Sequence, residues 1–321
     1  MPIPLAIVTE NLDEAPEAWL ASRCRAERAE ADSPRFGDLA AEAEALVVRT
    51  YTRVDAMLLD RLPRLRVVGR AGVGLDNIDL MECRRRGVAV VHTPEANTQA
   101  VVEYVTALLC DALRPRLVLP GPVSIDRWHD LRREVVADRQ MDTLSLGILG
   151  FGRIGRRVAE VARAIGFRVR ANDLLPMPEE LRRLAEPVEV ELLFAESDVI
   201  SLHIDGRPSN RGVVDRRLLS LLKPNVTLLN TCRGMVLDHD ALGAHLREHP
   251  GSQALLDVHE PEPPPPDHPL WNLPNAHLLP HLASRTRQAT ENMSWVVKDV
   301  VAVLEGRRPR WPASEPGETE R

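Results

Sequence analysis

The first part of the chain alternates short β-branched runs with segments whose apolar residues recur at helical spacing. The runs are PLAIVT at 4–9, ALVVR at 45–49, RVVG at 66–69 and VAVVH at 88–92. Strand and helix in alternation predict a parallel sheet, because parallel strands must be joined by long crossover connections. Such crossovers are almost always right-handed.

A second alternating series begins at Leu144 and predicts a second sheet. Its short apolar runs are LSLGILG, FRVRAND, DVISLH, NVTLLN, QALLDV and AHLLP, separated by loops and helical patterns. We predict that these six strands form one doubly wound parallel sheet, which makes the fold class α/β.

Two longer periodic stretches predict long helices. The stretch at 97–114 predicts a helix of about five turns that ends at Pro115 and suits a spine between two domains. TRQATENMSWVVKDVVAVLEG predicts one last helix that ends near Gly306. The basic clusters RCRAER at 23–28 and RRR at 84–86 are mixed with acids, and we interpret both as solvated helix faces.

The composition of the 321 residues narrows the class of protein. The hydrophobic fraction of 44% and the charged fraction of 27% are typical of globular proteins, and the length allows two domains. The net charge of -6 argues against a dedicated nucleic-acid surface. No apolar run approaches the roughly 18 residues of a membrane span, and the start has no signal-peptide pattern. Four widely spaced cysteines indicate a reducing cytoplasm and no metal site; they are Cys24, Cys83, Cys110 and Cys232.

The segment GILGFGRIG at 147–155 joins a predicted strand to a predicted helix. In a dinucleotide site, Gly150 makes the tight turn, Gly152 lets the backbone approach a pyrophosphate, and Gly155 lets the helix pack on the strand. The pyrophosphate then lies on the free N–H groups at the start of the helix, where Arg153 and Ile154 stand.

Asp173 ends the next predicted strand. A carboxylate there can accept hydrogen bonds from both ribose hydroxyls and repels a 2′-phosphate, so the motif predicts NAD rather than NADP. The alternative is a glycine turn packed on a neighbouring strand beside an ordinary aspartate. The order of strand, motif, helix, strand and acid favours the dinucleotide site.

Six motifs in a fixed order resemble the D-isomer-specific 2-hydroxyacid dehydrogenase family, in its phosphoglycerate dehydrogenase-like branch, along nearly the whole chain. They are VVGRAGVGLDNIDL at 67–80, GILGFGRIG at 147–155, VISLH at 199–203, LLNTCRGMVLD at 228–238, LLDVHEPEP at 255–263 and LLPHLASRT at 278–286. The resemblance implies an NAD-dependent oxidoreductase that interconverts a 2-hydroxy acid and its 2-keto acid, of the phosphoglycerate or hydroxypyruvate type. We expect no second, regulatory domain after these motifs.

The resemblance also implies two doubly wound, Rossmann-like domains with the active site in the cleft between them. Residues 1–93 and 284–321 would bind the substrate, and residues 94–283 would bind NAD. Family members are usually homodimers, and the 97–140 region resembles the dimerising element. We expect a cytoplasmic protein that binds a small acid and contacts neither nucleic acid nor membrane.

Three residues match the family's catalytic positions. Arg233 can clamp the substrate's carboxylate and polarise its carbonyl group. His281 matches the general acid and base, since a histidine can give and take a proton near neutrality. Glu262 matches the carboxylate that pairs with this histidine and favours the imidazolium.

Further residues are assigned to ligands by the resemblance. Asp257 matches a position near the nicotinamide carboxamide, whereas His259 and Glu260 match no such role and are interpreted as loop surface. His203, Thr231 and Cys232 also fall on cofactor positions.

In the outer domain the amides of Val73 and Gly74 would hold the substrate carboxylate. Arg49 and Arg70 would face its far end, although ordinary strand-end arginines remain the alternative. Asp205 and Gly206 depart from the family, because they replace a Pro-Leu pair expected near the nicotinamide.

Other functions remain open on the same scaffold. Formate and phosphite dehydrogenases share the fold, but formate dehydrogenases carry a glutamine where Glu262 stands. An NAD-sensing binding protein of the transcriptional corepressor kind would reuse the same triad without turnover. Turnover of 2-keto acids discriminates between these alternatives.

Overall fold

The computed structural model describes residues 3–114 and 116–313. It divides into two compact units. Unit 1 consists of Met1–Ala100 and Ser284–Arg321, and unit 2 consists of Val101–Ala283. The chain passes from unit 1 to unit 2 after residue 100 and returns to unit 1 after residue 283.

In unit 1 the described residues form one five-stranded sheet in which neighbouring strands are all parallel. Its strands are β1 (Leu5–Val8), β2 (Arg25–Arg28), β3 (Ala45–Val48), β4 (Val67–Arg70) and β5 (Ala89–Val91). Across the sheet the order is β2-β1-β3-β4-β5. The inner strands β1 and β3 are buried throughout, as expected for a parallel sheet covered on both faces.

Four short helices join these strands: α1 (Glu14–Ala21), α2 (Pro34–Ala40), α3 (Ala56–Asp60) and α4 (Leu80–Arg85). The longer helix α5 (Thr98–Leu113) follows β5 and continues into unit 2. Ser33, Asp55 and Asp79 cap α2, α3 and α4 by accepting a hydrogen bond from a first-turn amide. The helix predicted at 97–114 is confirmed as α5. Its predicted end at Pro115 lies outside the described residues.

One polar strand was not predicted. Part of RCRAER forms β2 at the edge of the sheet, so its interpretation as a helix face was wrong. An edge strand has one neighbour only, and its side chains here are exposed or half-buried. The polar composition of this segment is therefore equally compatible with an edge strand and with the exposed face of a helix. The second basic cluster does lie mostly on a helix, α4, with Arg84 and Arg85 exposed.

In unit 2 the described residues form a parallel sheet of seven strands, ordered β12-β11-β10-β9-β6-β7-β8. The strands are β6 (Ser145–Leu149), β7 (Arg168–Asn172), β8 (Glu186–Pro187), β9 (Val199–Leu202), β10 (Thr227–Asn230), β11 (Gln253–Leu256) and β12 (Ala276–Leu278). The six predicted strands and the α/β class are confirmed. The seventh, β8, was missed because two exposed edge residues carry no strand pattern. Because β6 lies between β7 and β9, the winding reverses there, which is where open α/β sheets bind ligands.

Five helices complete the described part of unit 2. They are α6 (Ile125–Glu134), α7 (Arg153–Ile165), α8 (Val190–Glu196), α9 (Arg216–Leu219) and α10 (His239–Glu248). Single 3₁₀ turns occur at Met141–Thr143, Glu179–Leu181, Pro208–Asn210 and Gly234–Val236. The helix α7 packs through Val158, Ala159 and Ala162 and ends at Gly166, whose φ of 119° is in the left-handed region.

The predicted last helix is divided in two, so its interpretation as one helix was wrong. The chain returns to unit 1 as α11 (Arg287–Ser294) and α12 (Val297–Leu304). The Ser294 hydroxyl donates a 2.8 Å hydrogen bond to Asp13, which fixes the end of α11. The following i to i+3 backbone bonds tighten the turn before α12 packs on the sheet. Apolar periodicity continues across the break and therefore did not reveal it.

No helix in ranges 3–114 and 116–313 is long and apolar enough to cross a membrane. Within the same ranges, no group of three or more His, Cys, Asp or Glu residues is arranged to hold a metal ion.

Candidate active site

The glycine loop between β6 and α7 is built as the motif predicts. Gly150 has a φ of 93°, and a Cβ there would lie 2.6 Å from the His203 carbonyl. A Cβ at Gly155 would lie 2.2 Å from the Gly150 oxygen, so the helix approaches the loop too closely for any side chain. At Gly152 no described atom lies within 4 Å of an added Cβ, which leaves room for a ligand beside the backbone.

The start of α7 fits a dinucleotide pyrophosphate. Its N-cap residue is Gly152, which has no side chain to accept a hydrogen bond from the first-turn amides. Those N–H groups, which include Arg153 and Ile154, carry the positive end of the helix dipole. An anion bound there would accept hydrogen bonds from these groups. The residues present therefore fit the cofactor that the sequence implies.

Asp173 lies beside the glycine loop. Its Oδ2 accepts a 2.5 Å hydrogen bond from the Phe151 amide, and its Oδ1 accepts a 3.0 Å bond from the Leu175 amide. The carboxylate is therefore held between two backbone segments in one orientation. Each oxygen retains a further lone pair that can accept a hydrogen bond from a hydroxyl group.

His203 follows β9 on the other side of the glycine loop. Its amide donates a 2.7 Å hydrogen bond to Leu149, and its Nε2 lies 2.8 Å from the Ser201 hydroxyl. Desolvation lowers the pKa of His203 to about 4. The imidazole is therefore neutral at physiological pH, and it offers a ligand hydrogen bonds rather than a positive charge.

The loop after β10 is organised by Asn230, a residue that the sequence analysis missed although it belongs to NTCRG. Its Oδ1 accepts a 3.1 Å hydrogen bond from the Cys232 amide, and its Nδ2 donates a 2.9 Å bond to the Arg233 oxygen. Arg233 itself donates from Nη1 to the Cys232 carbonyl at 2.6 Å. Desolvation raises the pKa of the Cys232 thiol to about 11, so this thiol is a weak nucleophile. The Thr231 hydroxyl is buried and has no hydrogen-bond partner among the described residues.

His281, which follows β12, forms a hydrogen-bonded pair with Glu262, which lies in the loop between β11 and β12. The Nδ1 atom of His281 lies 2.8 Å from Glu262 Oε2, and Glu262 Oε1 accepts a 3.0 Å bond from the His259 amide. Burial disfavours the charged carboxylate, but the hydrogen bonds from His281 and from His259 outweigh it, and the pKa of Glu262 is lowered. Since Nδ1 is engaged, Nε2 is the nitrogen that can exchange a proton with a substrate.

Asp257 braces the backbone that carries His281. Its carboxylate is fully buried and accepts 2.8 Å hydrogen bonds from the amides of Leu282 and Ala283. His281 has a φ of 55°, a left-handed conformation that residues other than glycine rarely adopt. The two bonds fix the chain directly after this residue. Burial and the charge of Asp257 also raise the pKa of the Tyr104 hydroxyl to about 12.

The structure corrects the interpretation of His259 as loop surface. The side chain is only 5% exposed, and its Nε2 lies 2.8 Å from the Leu279 carbonyl. Its amide holds Glu262, so the residue supports the catalytic pair from within the loop. Glu260 is exposed, as predicted, and pairs with Arg211 at 3.2 Å.

In unit 1 the loop after β3 is held by Glu10, which the sequence analysis also missed. Its carboxylate accepts hydrogen bonds from the amides of residues 49–52 at distances of 2.9 to 3.2 Å. Burial opposes ionisation of Glu10, but the four backbone bonds lower its pKa. The Arg49 guanidinium in this loop donates to the Asn11 carbonyl at 3.0 Å. Burial lowers the pKa of Arg49, Asp13 opposes this, and the exposed Arg285 lowers it further.

The turn after β4 is the second predicted substrate segment of unit 1. The Val73 carbonyl lies 2.8 Å from Nδ1 of the buried His92, which fixes the peptide before Gly74. Arg70 is folded back over the turn, since a Cβ at Gly72 would lie 1.2 Å from its Nη1 atom. A side chain at Gly72 is therefore incompatible with this arginine conformation.

Three features define a class of protein, the nicotinamide-dinucleotide-dependent oxidoreductases. They are the glycine loop where the winding of the sheet reverses, the glycine N-cap of α7, and the hydrogen-bonded pair of His281 and Glu262. Comparison with known proteins agrees. Residues 119–283 match the model of the D-isomer specific 2-hydroxyacid dehydrogenase, NAD binding domain. The chain belongs to the D-isomer-specific 2-hydroxyacid dehydrogenase family and is an NAD-binding oxidoreductase with 2-hydroxyacid dehydrogenase activity.

Three relatives illustrate the similarity. The chain is 35% identical to an (S)-sulfolactate dehydrogenase from Chromohalobacter salexigens, over 92% of this chain and 96% of that protein. It is 33% identical to a D-3-phosphoglycerate dehydrogenase from Archaeoglobus fulgidus over 86% of this chain, and it spans 53% of that protein's length. The crystal structure of D-lactate dehydrogenase from Aquifex aeolicus, with NAD and lactic acid, superposes with a TM-score of 0.79 at 27% identity, covering 94% of this chain and 96% of that one.

Proposed function

We propose that the chain interconverts a D-2-hydroxy acid and its 2-keto acid with NAD, and that His281 moves the proton. The observation that carries this proposal is the 2.8 Å contact between His281 Nδ1 and Glu262 Oε2. With Nδ1 held, Nε2 gives a proton to the substrate oxygen during reduction and removes it during oxidation. Bound NAD accepts or supplies the hydride at C2 of the substrate.

Arg233 orients the substrate and polarises its carbonyl group in this proposal. Its guanidinium donates a hydrogen bond from Nη1 to the Cys232 carbonyl, and the planar fork suits a carboxylate. In unit 1 the amides of Val73 and Gly74 bind the substrate carboxylate, and Arg49 and Arg70 face the far end of the substrate. Residues 1–93 and 284–321 thus serve the substrate, and residues 94–283 serve NAD.

The cofactor residues follow from the glycine loop and its neighbours. Asp173 accepts hydrogen bonds from the adenosine ribose hydroxyls, which favours NAD over NADP. The other proposed contacts are Gly150, Gly152, Arg153, Ile154, Gly155, His203, Thr231, Cys232 and Asp257.

We favour a substrate of the phosphoglycerate or hydroxypyruvate type. The charge of Arg285 lowers the pKa of Arg49, whose guanidinium also lies 3.8 Å from Asp13. Two guanidinium groups in this part of unit 1 suit a second anionic group on the substrate, which phosphoglycerate carries and hydroxypyruvate lacks. The names of two relatives, a phosphoglycerate and a sulfolactate dehydrogenase, describe acids with such a group.

We also propose a homodimer through residues 97–140 in the cytoplasm. Several large apolar side chains of this region are exposed in the described chain, which is unusual unless a partner covers them. They are Leu117 at 54%, Val118 at 86%, Ile125 at 66%, Trp128 at 44% and Val136 at 66% exposure.

The test is NADH oxidation with a panel of 2-keto acids that includes 3-phosphohydroxypyruvate, hydroxypyruvate, glyoxylate and pyruvate. We expect turnover with at least one acid, and a loss of kcat of about a hundredfold or more in His281→Gln with NADH affinity retained. His277→Gln, at an exposed histidine on β12, is the matched control and should keep wild-type kcat. NADH binding without turnover of any acid would instead favour the binding-protein alternative.

A further inference from the structure

The segment after His203, where the chain departs from its family, forms a compact loop around Asp205. The Arg207 Nε donates to Asp205 Oδ1 at 2.7 Å and to Oδ2 at 3.0 Å, and Nη2 also donates to Oδ2. Asp205 further accepts from the Arg207 amide at 3.1 Å and from Asn210 Nδ2 at 2.9 Å. One edge of the Arg207 guanidinium is therefore fixed by its own loop.

This loop stands against the glycine loop, on the side opposite Asp173. A Cβ at Gly150 would lie 2.9 Å from Ile204 Cγ2, so the segment leading to Arg207 packs on that turn. Asp173 contacts the same turn through the Phe151 amide at 2.5 Å. The two charged residues follow β9 and β7, the strands that flank β6. They therefore lie on either side of the place where the dinucleotide is expected.

The charges of Arg207 and Asp173 interact across this site. The hydrogen bond with Asp205 raises the pKa of Arg207, burial opposes it, and the charges of Asp205 and then of Asp173 raise it further. The side chain is 38% exposed, and no described residue accepts a hydrogen bond from Nη1. The guanidinium can thus offer Nη1 and its flat face to a ligand.

We propose that Arg207 contacts the adenosine half of the cofactor and pairs with a 2′-phosphate, so that it offsets the repulsion exerted by Asp173. The chain then binds NADPH as well as NADH, with only modest discrimination. This inference rests on the proposed cofactor site. The resemblance to the family predicts that Asp205 and Gly206, which replace the family's Pro-Leu pair, lie near the nicotinamide. Under this inference they lie near the adenosine half of the cofactor instead.

The test uses 2′,5′-ADP and 5′-AMP as probes, which differ by the 2′-phosphate and carry no nicotinamide. Both are titrated calorimetrically into the intact protein, and NADPH and NADH are titrated by fluorescence. In Arg207→Gln we expect the affinity for 2′,5′-ADP and NADPH to fall about tenfold, and that for 5′-AMP and NADH to change less than about threefold. Arg207→Lys keeps the charge but not the fork and should lie between the two.

Arg217→Gln is the matched control, because it removes an exposed arginine of the same unit that pairs with Glu191 at 2.7 Å. It should leave all four affinities unchanged. An equal loss for both members of each pair in Arg207→Gln, or no loss, overturns the inference. If the wild type binds none of the four ligands, the proposed cofactor site itself is wrong, which is a distinct result.

Discussion

The buried carboxylate of Asp257 accepts a 2.8 Å hydrogen bond from the amide of Ala283, two residues after His281. A second bond, from the Leu282 amide, has the same length. Asp257 follows β11 and His281 follows β12, and these two strands are paired, so hydrogen bonds between the segments after neighbouring strands fix the histidine's backbone. This contact is local to unit 2 and is independent of any ligand.

Asp257→Asn tests this bracing. The amide nitrogen of asparagine would face a backbone N–H group, leaving a buried donor unsatisfied. We expect the free energy of unfolding in urea to fall by about 1–3 kcal/mol and kcat to fall with it. Asp267→Asn, at an exposed position of the loop between β11 and β12, should change neither. Unchanged stability in Asp257→Asn would contradict the structural role.

Glu262→Gln removes the charge that faces His281. Burial opposes ionisation of Glu262, but its hydrogen bonds outweigh burial and lower its pKa. The stabilising interaction of the carboxylate with His281 is therefore fully present at pH values above the ordinary pKa of a glutamate, and it is lost as pH falls through the lowered pKa. At neutral pH the variant has no carboxylate facing the ring of His281. We expect kcat for keto-acid reduction at pH 7 to fall about tenfold or more.

Glu260→Gln is the control for that experiment, since Glu260 is exposed and pairs with Arg211. Its kcat at pH 7 should match that of the wild type. An unchanged kcat in Glu262→Gln would show that this carboxylate does not assist protonation.

Asp173→Arg tests the ribose assignment. The substitution removes the acceptor for the ribose hydroxyls and adds a cation where a 2′-phosphate would lie. We expect NADH affinity to fall about tenfold and the preference for NADH over NADPH to shrink or reverse, measured by fluorescence titration. Glu180→Arg makes the same charge reversal at an exposed turn after β7 and should leave the preference unchanged. An unaltered preference in Asp173→Arg would mean that the ribose binds elsewhere.

His203 predicts how stability depends on pH. Its pKa is about 4 in the folded chain because of desolvation, compared with an ordinary value of 6.5. Between these values the unfolded chain binds a proton that the folded chain does not, so stability falls as pH falls from 6.5 toward 4. His203→Asn should reduce this dependence in urea unfolding, whereas His277→Asn should preserve it. His239, with a pKa of about 4, contributes the same slope in both variants.

Much of the architecture follows from local pattern. The β-branched runs of both halves and the glycine motif identified ten of the strands, because parallel strands are buried and apolar. The edge strands β2 and β8 were missed, since each has one neighbour and few buried side chains. The break after Ser294 was missed because a hydroxyl bond to Asp13, rather than a change in periodicity, ends α11.

The sequence by itself determined the α/β class and the glycine loop, because both depend on residues adjacent in the chain, and its resemblance to the family supplied the candidate residues Arg233, Glu262 and His281. Only the tertiary structure decided that His259 is buried and supports Glu262, that Asp257 holds the chain after His281, and that Arg207 and Asp173 flank one glycine loop. These contacts join residues that different strands bring to one edge of the sheet. Their geometry depends on strand order and packing, which no local spacing encodes.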